Sequence, residues 1–398
     1  MIIRYLITNA FGGGGTIRTT INTANELARS HDVELVSVFR YVDEGRFPID
    51  PAVRVRVLTD RSPAALRERT GRRSVRSRAA GALGSWAHEQ PSRLIHSDDR
   101  RYRHHSLLTD VNLVRFLRSV RRGVLVSTRP GLNLAVARFA RPSVVRIAQE
   151  HLNLAHHRRR RPALVDEVQH GYRRLDAVTT LTPGDAADYR RLLGPDTPVV
   201  AMPNAVPPTT FRSDPASRIV VAAGRLSRQK GFDRLIRAFA GVVSKHPDWR
   251  LRIYGEGDQH TALRELIDRK HLGDHVRLMG FTTQLSRELS VGSIYAMSSR
   301  FEGFPMVLLE AMACGLPVVS YDCPSGPRQI IDHGTDGLLI ANGGKDALTS
   351  GLLDLIDDEG RRAAMAAAAL DKSRSYTTPA LAQRWMELFT RLRDAKRW

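Results

Sequence analysis

Residues 218–239 read RIVVAAGRLSRQKGFDRLIRAF. A β-branched run ends at Gly224, and a polar loop closes at Gly231. Apolar Phe232, Leu235, Ile236 and Phe239 then recur at i, i+3, i+4 and i+7, the face of an amphipathic helix. A strand feeding through a glycine loop into a helix is one βα unit of a parallel sheet. Outward from this unit the alternation continues in both directions and occurs as two sets. The pattern predicts strands near 2–8, 33–39, 53–57, 123–127, 143–148, 177–181 and 198–201, then near 218–223, 250–254, 276–280, 293–298, 317–321 and 337–340. Between the sets lies MPNAVPPTTFRSDPAS (202–217), whose four prolines suit neither a helix interior nor a central strand and mark a linker.

The 398 residues suffice for two or three domains. With 42% hydrophobic and 26% charged residues the chain has an ordinary globular mix, which excludes a disordered or collagen-like protein. No run of 18 apolar residues occurs, and Arg4 sits inside the apolar N-terminal stretch, so neither a transmembrane helix nor a signal peptide is expected. Two cysteines, Cys314 and Cys323, are too few for a disulfide framework or a zinc site and fit a reducing cytosol. The net charge is +20. Residues before Pro208 hold 34 basic against 19 acidic side chains, so most of the excess lies in the first half. Residues 61–105, an insertion expected to be mobile or a pair of surface helices, carry 11 Arg against four acids, and Arg158 to Arg161 form an unbroken run. Such segments attract nucleic acid, anionic lipid or a phosphate-bearing acceptor, or else are a solvated face.

Four constellations could carry chemistry. The first strand runs into Asn9-Ala10-Phe11-Gly12-Gly13-Gly14-Gly15 and a helix from about Thr16, a turn that lets a ligand approach the backbone and offers free amides to an anion. The dinucleotide spacing fails, because Arg18 stands where a third glycine would, and no Walker A string exists. Arg225 and Lys230 lie five apart on the loop after the 218–223 strand, where a planar fork and a point charge can grip a diphosphate. In RFEGFPMVLLEAMACGLP (300–317), an acidic glycine loop precedes a helix with Pro305 in its first turn; Glu310 lies on that helix among apolar neighbours and needs a partner, a core arginine or sugar hydroxyls. His151 follows the strand VVRIA at a place suited to proton transfer or hydrogen bonding, whereas His156 and His157 abut the Arg run and are expected to be solvent-exposed. No Asp-x-Asp triplet, HExxH or Cys/His cluster appears, so no catalytic metal is expected.

The stretch FEGFPMVLLEAMACGLPVV resembles the E-x7-E signature of retaining glycosyltransferase family 4, with Glu302 and Glu310 at its spacing. GRLSRQKGFDRLIRAF, YGEGDQHTALRELI, VRLMGF and SYDCPSGPRQIIDHGTDGLLI extend the likeness over nearly the whole second half. The resemblance implies a GT-B fold: two Rossmann-like, doubly wound parallel-sheet domains facing a cleft. An acceptor-binding domain would span 1–202, a linker 203–216, a nucleotide-sugar domain 217–375, and a helix over 376–398 would cross back to the first domain. It implies a hexosyltransferase that needs no cofactor besides its nucleotide-sugar co-substrate, a UDP-sugar. Glu310 would bind the ribose and Glu302 would sit by the donor sugar. Arg225 and Lys230 would hold the diphosphate with amides around Gly303, Phe304, Met306 and Val307, while Pro305 offers a carbonyl only. Gly14 and Gly15 match the loop facing donor phosphate and acceptor, and His151 the position of an active-site histidine. The family's PNGV element reads Pro203-Asn204-Ala205-Val206 here, with Ala for Gly. The stretch SRFEGFPMVLLEAMACGLPVVSYDCPSGPRQII resembles members that build bacterial surface polysaccharides, polyprenyl-linked glycans or poly(polyol phosphate) chains. A cytoplasmic enzyme, peripheral on the inner face of the plasma membrane, is the resulting expectation. The rival readings are a nucleic-acid or polyanion binder, which would need aromatic platforms that 6% aromatics scarcely supply, and another GT-B activity such as glycosylation of a small molecule.

Overall fold

The computed structural model describes residues 1–71, 86–97, 102–324, 326–344 and 346–396, with side chains at all of these but 68–71 and 160. Of the Arg-rich segment 61–105, residues 72–85 and 98–101 lie outside the described residues. The chain forms two compact units, Met1–Ala205 with Leu381–Trp398, and Val206–Ala380.

In the first unit seven strands, β1 (Ile2–Ile7), β2 (Asp32–Arg40), β3 (Arg54–Asp60), β4 (Val124–Ser127), β5 (Val145–Gln149), β6 (Ala177–Thr180) and β7 (Val199–Ala201), form one sheet in the order β3-β2-β1-β4-β5-β6-β7. The second unit holds β8 (Ile219–Ala223), β9 (Arg250–Tyr254), β10 (Val276–Gly280), β11 (Ile294–Met297), β12 (Val318–Tyr321) and β13 (Gly337–Ile340), ordered β10-β9-β8-β11-β12-β13. Every pairing is parallel, as the βα alternation requires. Each expected strand is present. β3 runs three residues past its expected end because Thr59 and Asp60 stay in register with Phe39 and Arg40 of β2. Helices cover both faces, so Val220, Val221 and Ala222 are fully buried and the strand reads as a continuous apolar run instead of an alternating one. The strand order reverses between β1 and β4 in one sheet and between β8 and β11 in the other; beyond the strand C-termini at such reversals an open α/β sheet has room for a ligand.

The terminal helix, Thr378–Ala395, places Leu381, Trp385, Leu388, Phe389 and Leu392 on its inner face, all buried. Leu381 onward packs with the first unit. Trp385 meets the Tyr5 ring edge-on at 6.5 Å, and Lys396 Nζ donates to the carbonyls of Pro142 and Val144 at 2.6 Å and pairs with Asp176 at 2.8 Å. No helix among the described residues is long and apolar enough to cross a membrane.

Candidate functional site

The loop 224–231 after β8 is fixed from two sides. On one side the backbone N–H of Leu226 donates to Glu256 O (2.9 Å) and that of Gln259 to Leu226 O (3.0 Å), joining it to the loop after β9. The approach is so close that a Cβ at Gly255 would stand 1.9 Å from Gly224 O, so only glycine fits there. On the other side lies the loop after β11. Here Lys230 Nζ reaches Glu302 Oε1 at 2.6 Å, and Ser299 Oγ donates to the same oxygen at 2.7 Å. Glu302 is 8% exposed, and its own N–H donates to Pro324 O. Residues 72 apart in sequence thus meet as an ion pair at the reversal point of the sheet. Arg225 lies on the same loop with its side chain exposed and in no ion pair among the described residues.

After Glu302 the chain passes Gly303 and Phe304, both partly exposed, and enters the helix Met306–Ala313. Pro305 was expected inside the first turn; it stands instead at the cap position with extended backbone, and Leu308 N–H donates to its carbonyl at 3.0 Å. Since no side chain caps this end, the N–H groups of Met306 and Val307 head the helix with its positive dipole end. Glu310, on the second turn, is 6% exposed. The second unit therefore gathers Arg225, Lys230, Glu302 and the start of the Glu310 helix at one end of its sheet. Cys314 and Cys323 are free and buried; burial pushes their thiols up to about 11 and about 12, so neither is a nucleophile at neutral pH.

The other expected residues belong to the first unit. Gly14 (φ 133°) and Gly15 begin the helix Gly15–Ala28, exposed and without a side-chain cap. His151 lies just beyond β5. Both its ring nitrogens are buried without a hydrogen-bond partner among the described residues, and burial, aided by the Arg129 charge, pushes its pKa down to about 3. The ring is therefore neutral at physiological pH, able to donate from one nitrogen and accept at the other.

His157, expected in solvent, is only 3% exposed. The reason is a polar cluster invisible in the sequence. Glu150, 2% exposed, accepts from Asn133 Nδ2 at 2.8 Å and from the Tyr172 hydroxyl, and His157 Nε2 lies 3.6 Å from its other oxygen. Ser127 Oγ in turn donates to Asn133 Oδ1 at 2.6 Å. Burial, and then the Glu150 charge, hold the Tyr172 hydroxyl well above the usual phenol range, so it remains a donor. A buried carboxylate survives only with such donors, and their convergence pulls the helix of His157, Leu154–Arg160, inward. Glu150 escaped sequence reasoning because its partners come from distant elements; Ser299 escaped it although its partner Glu302 is only three residues on, because nothing in the sequence marks the loop turn that brings them together. Among the described residues no group of three or more His, Cys, Asp or Glu could hold a metal ion.

With this geometry established, comparison with known proteins gives the class. Residues 210–372 match the family described as Glycosyl transferases group 1. An exopolysaccharide phosphotransferase of Streptomyces coelicolor is 34% identical over 98% of this chain and 41% of its own length. The amylovoran biosynthesis glycosyltransferase AmsD of Erwinia amylovora is 33% identical over 42% of this chain and 47% of its own. The chain thus spans about half or less of these curated relatives. Among solved structures, HepE of Anabaena in complex with UDP superposes with a TM-score of 0.73 at 18% identity, covering 98% of this chain and all of that one. The chain has the GT-B fold. It carries a group 1 glycosyltransferase domain.

Proposed function

We propose that this protein is a retaining hexosyltransferase that moves a hexose or N-acetylhexosamine from a UDP-sugar to a hydroxyl of a cell-envelope glycan, lipid-linked or polyol-phosphate acceptor. The observation that carries the reading is the pair of cations on one loop at the reversal of the second sheet, Arg225 exposed and Lys230 held by Glu302 at 2.6 Å. The complex of HepE with UDP and the polysaccharide setting of AmsD support the donor and the acceptor class.

In this reading Glu310 accepts hydrogen bonds from the ribose, and Arg225 and Lys230 bind the diphosphate with the N–H groups of Met306 and Val307. Charge grows on the diphosphate as its bond to the sugar C1 lengthens, and preorganised cations and helix-end amides stabilise it without reorganising. The acceptor oxygen bonds to C1 on the face the diphosphate leaves, and the acceptor proton passes to the departing phosphate oxygen. Configuration is kept without a protein nucleophile, a metal or a resident cofactor. Glu302, already engaged by Lys230 and Ser299, orients the lysine beside the donor sugar. The first unit reads the acceptor, Gly14 and Gly15 lending backbone amides and neutral His151 a hydrogen bond to a sugar hydroxyl.

Calorimetric titration with UDP, GDP and ADP tests the donor site, with the melting temperature followed in parallel. UDP is expected to bind and to raise the melting temperature, and Glu310→Ala to lose most of that affinity. A wild type that binds none of the three would overturn the reading.

The charge of the first half, with Arg158 and Arg159 among its exposed cations, supports a placement of the enzyme on an anionic membrane surface. Binding to vesicles containing phosphatidylglycerol should be strong at low salt and lost near 0.5 M, where the Debye length shrinks to roughly 4 Å. Binding indifferent to salt and to lipid charge contradicts that placement.

A further inference from the structure

We propose that Arg300, through its fork on Asp233, is a positioning residue that sets Lys230 for the donor diphosphate; this rests on the reading of the site given above. The short 3-10 turn Arg228–Lys230 has three carbonyls, and each accepts a hydrogen bond from the segment after β11. Arg228 O takes Arg300 Nη1 at 2.7 Å, Gln229 O takes the Arg300 backbone N–H at 2.8 Å, and Lys230 O takes Ser298 Oγ at 3.1 Å. Gln229 Nε2 returns a bond to Phe301 O at 3.1 Å.

The guanidinium also reaches past the turn. Nη1 and Nη2 each donate to one oxygen of Asp233 at 2.9 Å, in the first turn of the helix Phe232–Val243. Arg300 therefore bolts the lysine's turn both to the helix that follows it and to the loop that supplies Glu302. Gly231, between turn and helix, is left-handed (φ 65°), and a Cβ there would stand 2.3 Å from Ser298 O and 3.2 Å from Arg300 Nη1. Burial by itself would raise the Asp233 carboxyl; Arg300, then Arg237 at 3.1 Å, outweigh it and hold the group below the usual range, so the fork stays charged on both sides. Both Nη atoms are already engaged in these bonds, which makes Arg300 an organiser of Lys230 and not a ligand group. A lysine cannot replace it, since one point charge cannot span Arg228 O and both Asp233 oxygens.

A double-mutant cycle read by UDP calorimetry separates positioning from general stability. Arg300→Ala is expected to weaken UDP binding about tenfold, or about 1.4 kcal/mol. In a Lys230→Ala background the same change should alter UDP affinity less than about twofold, although the melting temperature falls equally in both backgrounds. Asp233→Asn, which removes the charge and leaves one of the two acceptor oxygens while the Arg300 bond to Arg228 O persists, should give a smaller loss of the same pattern, and Arg300→Lys should not restore affinity. Wild-type affinity in Arg300→Ala, or an equal loss with and without Lys230, overturns the proposal while leaving the donor site standing. Failure of the wild type to bind any nucleotide overturns both.

Discussion

Turnover in a Lys230→Ala variant is expected to fall about 10²–10³-fold, the usual effect of removing one preorganised donor from a developing charge. The lysine serves two ends. Its ammonium faces the diphosphate in the proposed reaction, and it neutralises Glu302 at 2.6 Å, a carboxylate only 8% exposed. Removing it leaves that charge with Ser299 Oγ as its remaining close side-chain donor among the described residues, so the single variant should also lose stability, because an uncompensated buried charge costs about 3–5 kcal/mol. The two effects separate in the double variant Lys230→Ala/Glu302→Gln: the melting temperature should recover toward wild type and the turnover should not. A folded Lys230→Ala enzyme with near-normal turnover removes the residue from the proposed role.

Truncation after Ala380 should abolish the cooperative folding of the first unit. The deleted helix contributes Leu381, Trp385, Leu388, Phe389 and Leu392, all buried, with Trp385 against Tyr5 and Phe389. At roughly 2–5 kcal/mol for each large side chain removed from a core, the loss reaches or exceeds a whole domain's stability of about 5–15 kcal/mol. Lys396 goes with it, uncovering the carbonyls of Pro142 and Val144 and the Asp176 carboxylate. Thermal melts followed by circular dichroism and tryptophan fluorescence provide the check. A truncated chain that melts cooperatively within a few degrees of the full-length protein contradicts the packing argument.

The strands were legible because central parallel strands are buried on both faces and so read as short β-branched runs, as in IVVAA of β8. The glycine loops between strands and helices were legible for a similar local reason: Gly224 (φ 155°) and Gly231 (φ 65°) take backbone conformations that L side chains rarely adopt, so glycine marks where the strand ends and where the helix begins. The two-glutamate pattern and the Arg225–Lys230 spacing likewise lie within single βα units, where a few residues of separation dictate proximity.

What failed to show in the sequence depends on side chains meeting across elements. His157 looked like part of an exposed basic run because Arg158 to Arg161 follow it, yet Glu150 and its donors on other helices draw it inside. Pro305 stands one residue outside the helix it was expected to open, with extended backbone at the cap position and its carbonyl accepting from Leu308 N–H. The Arg300 fork on Asp233 joins residues 67 apart. Local sequence determined the two sets of βα units and the loops that carry the cations, since strand burial, helix periodicity and glycine geometry act over a few residues. Only the tertiary structure decided which carboxylate neutralises Lys230, which arginine steadies its turn and which histidines leave water, because hydrogen bonds and ion pairs are won by distance in space, on which separation along the chain has no hold.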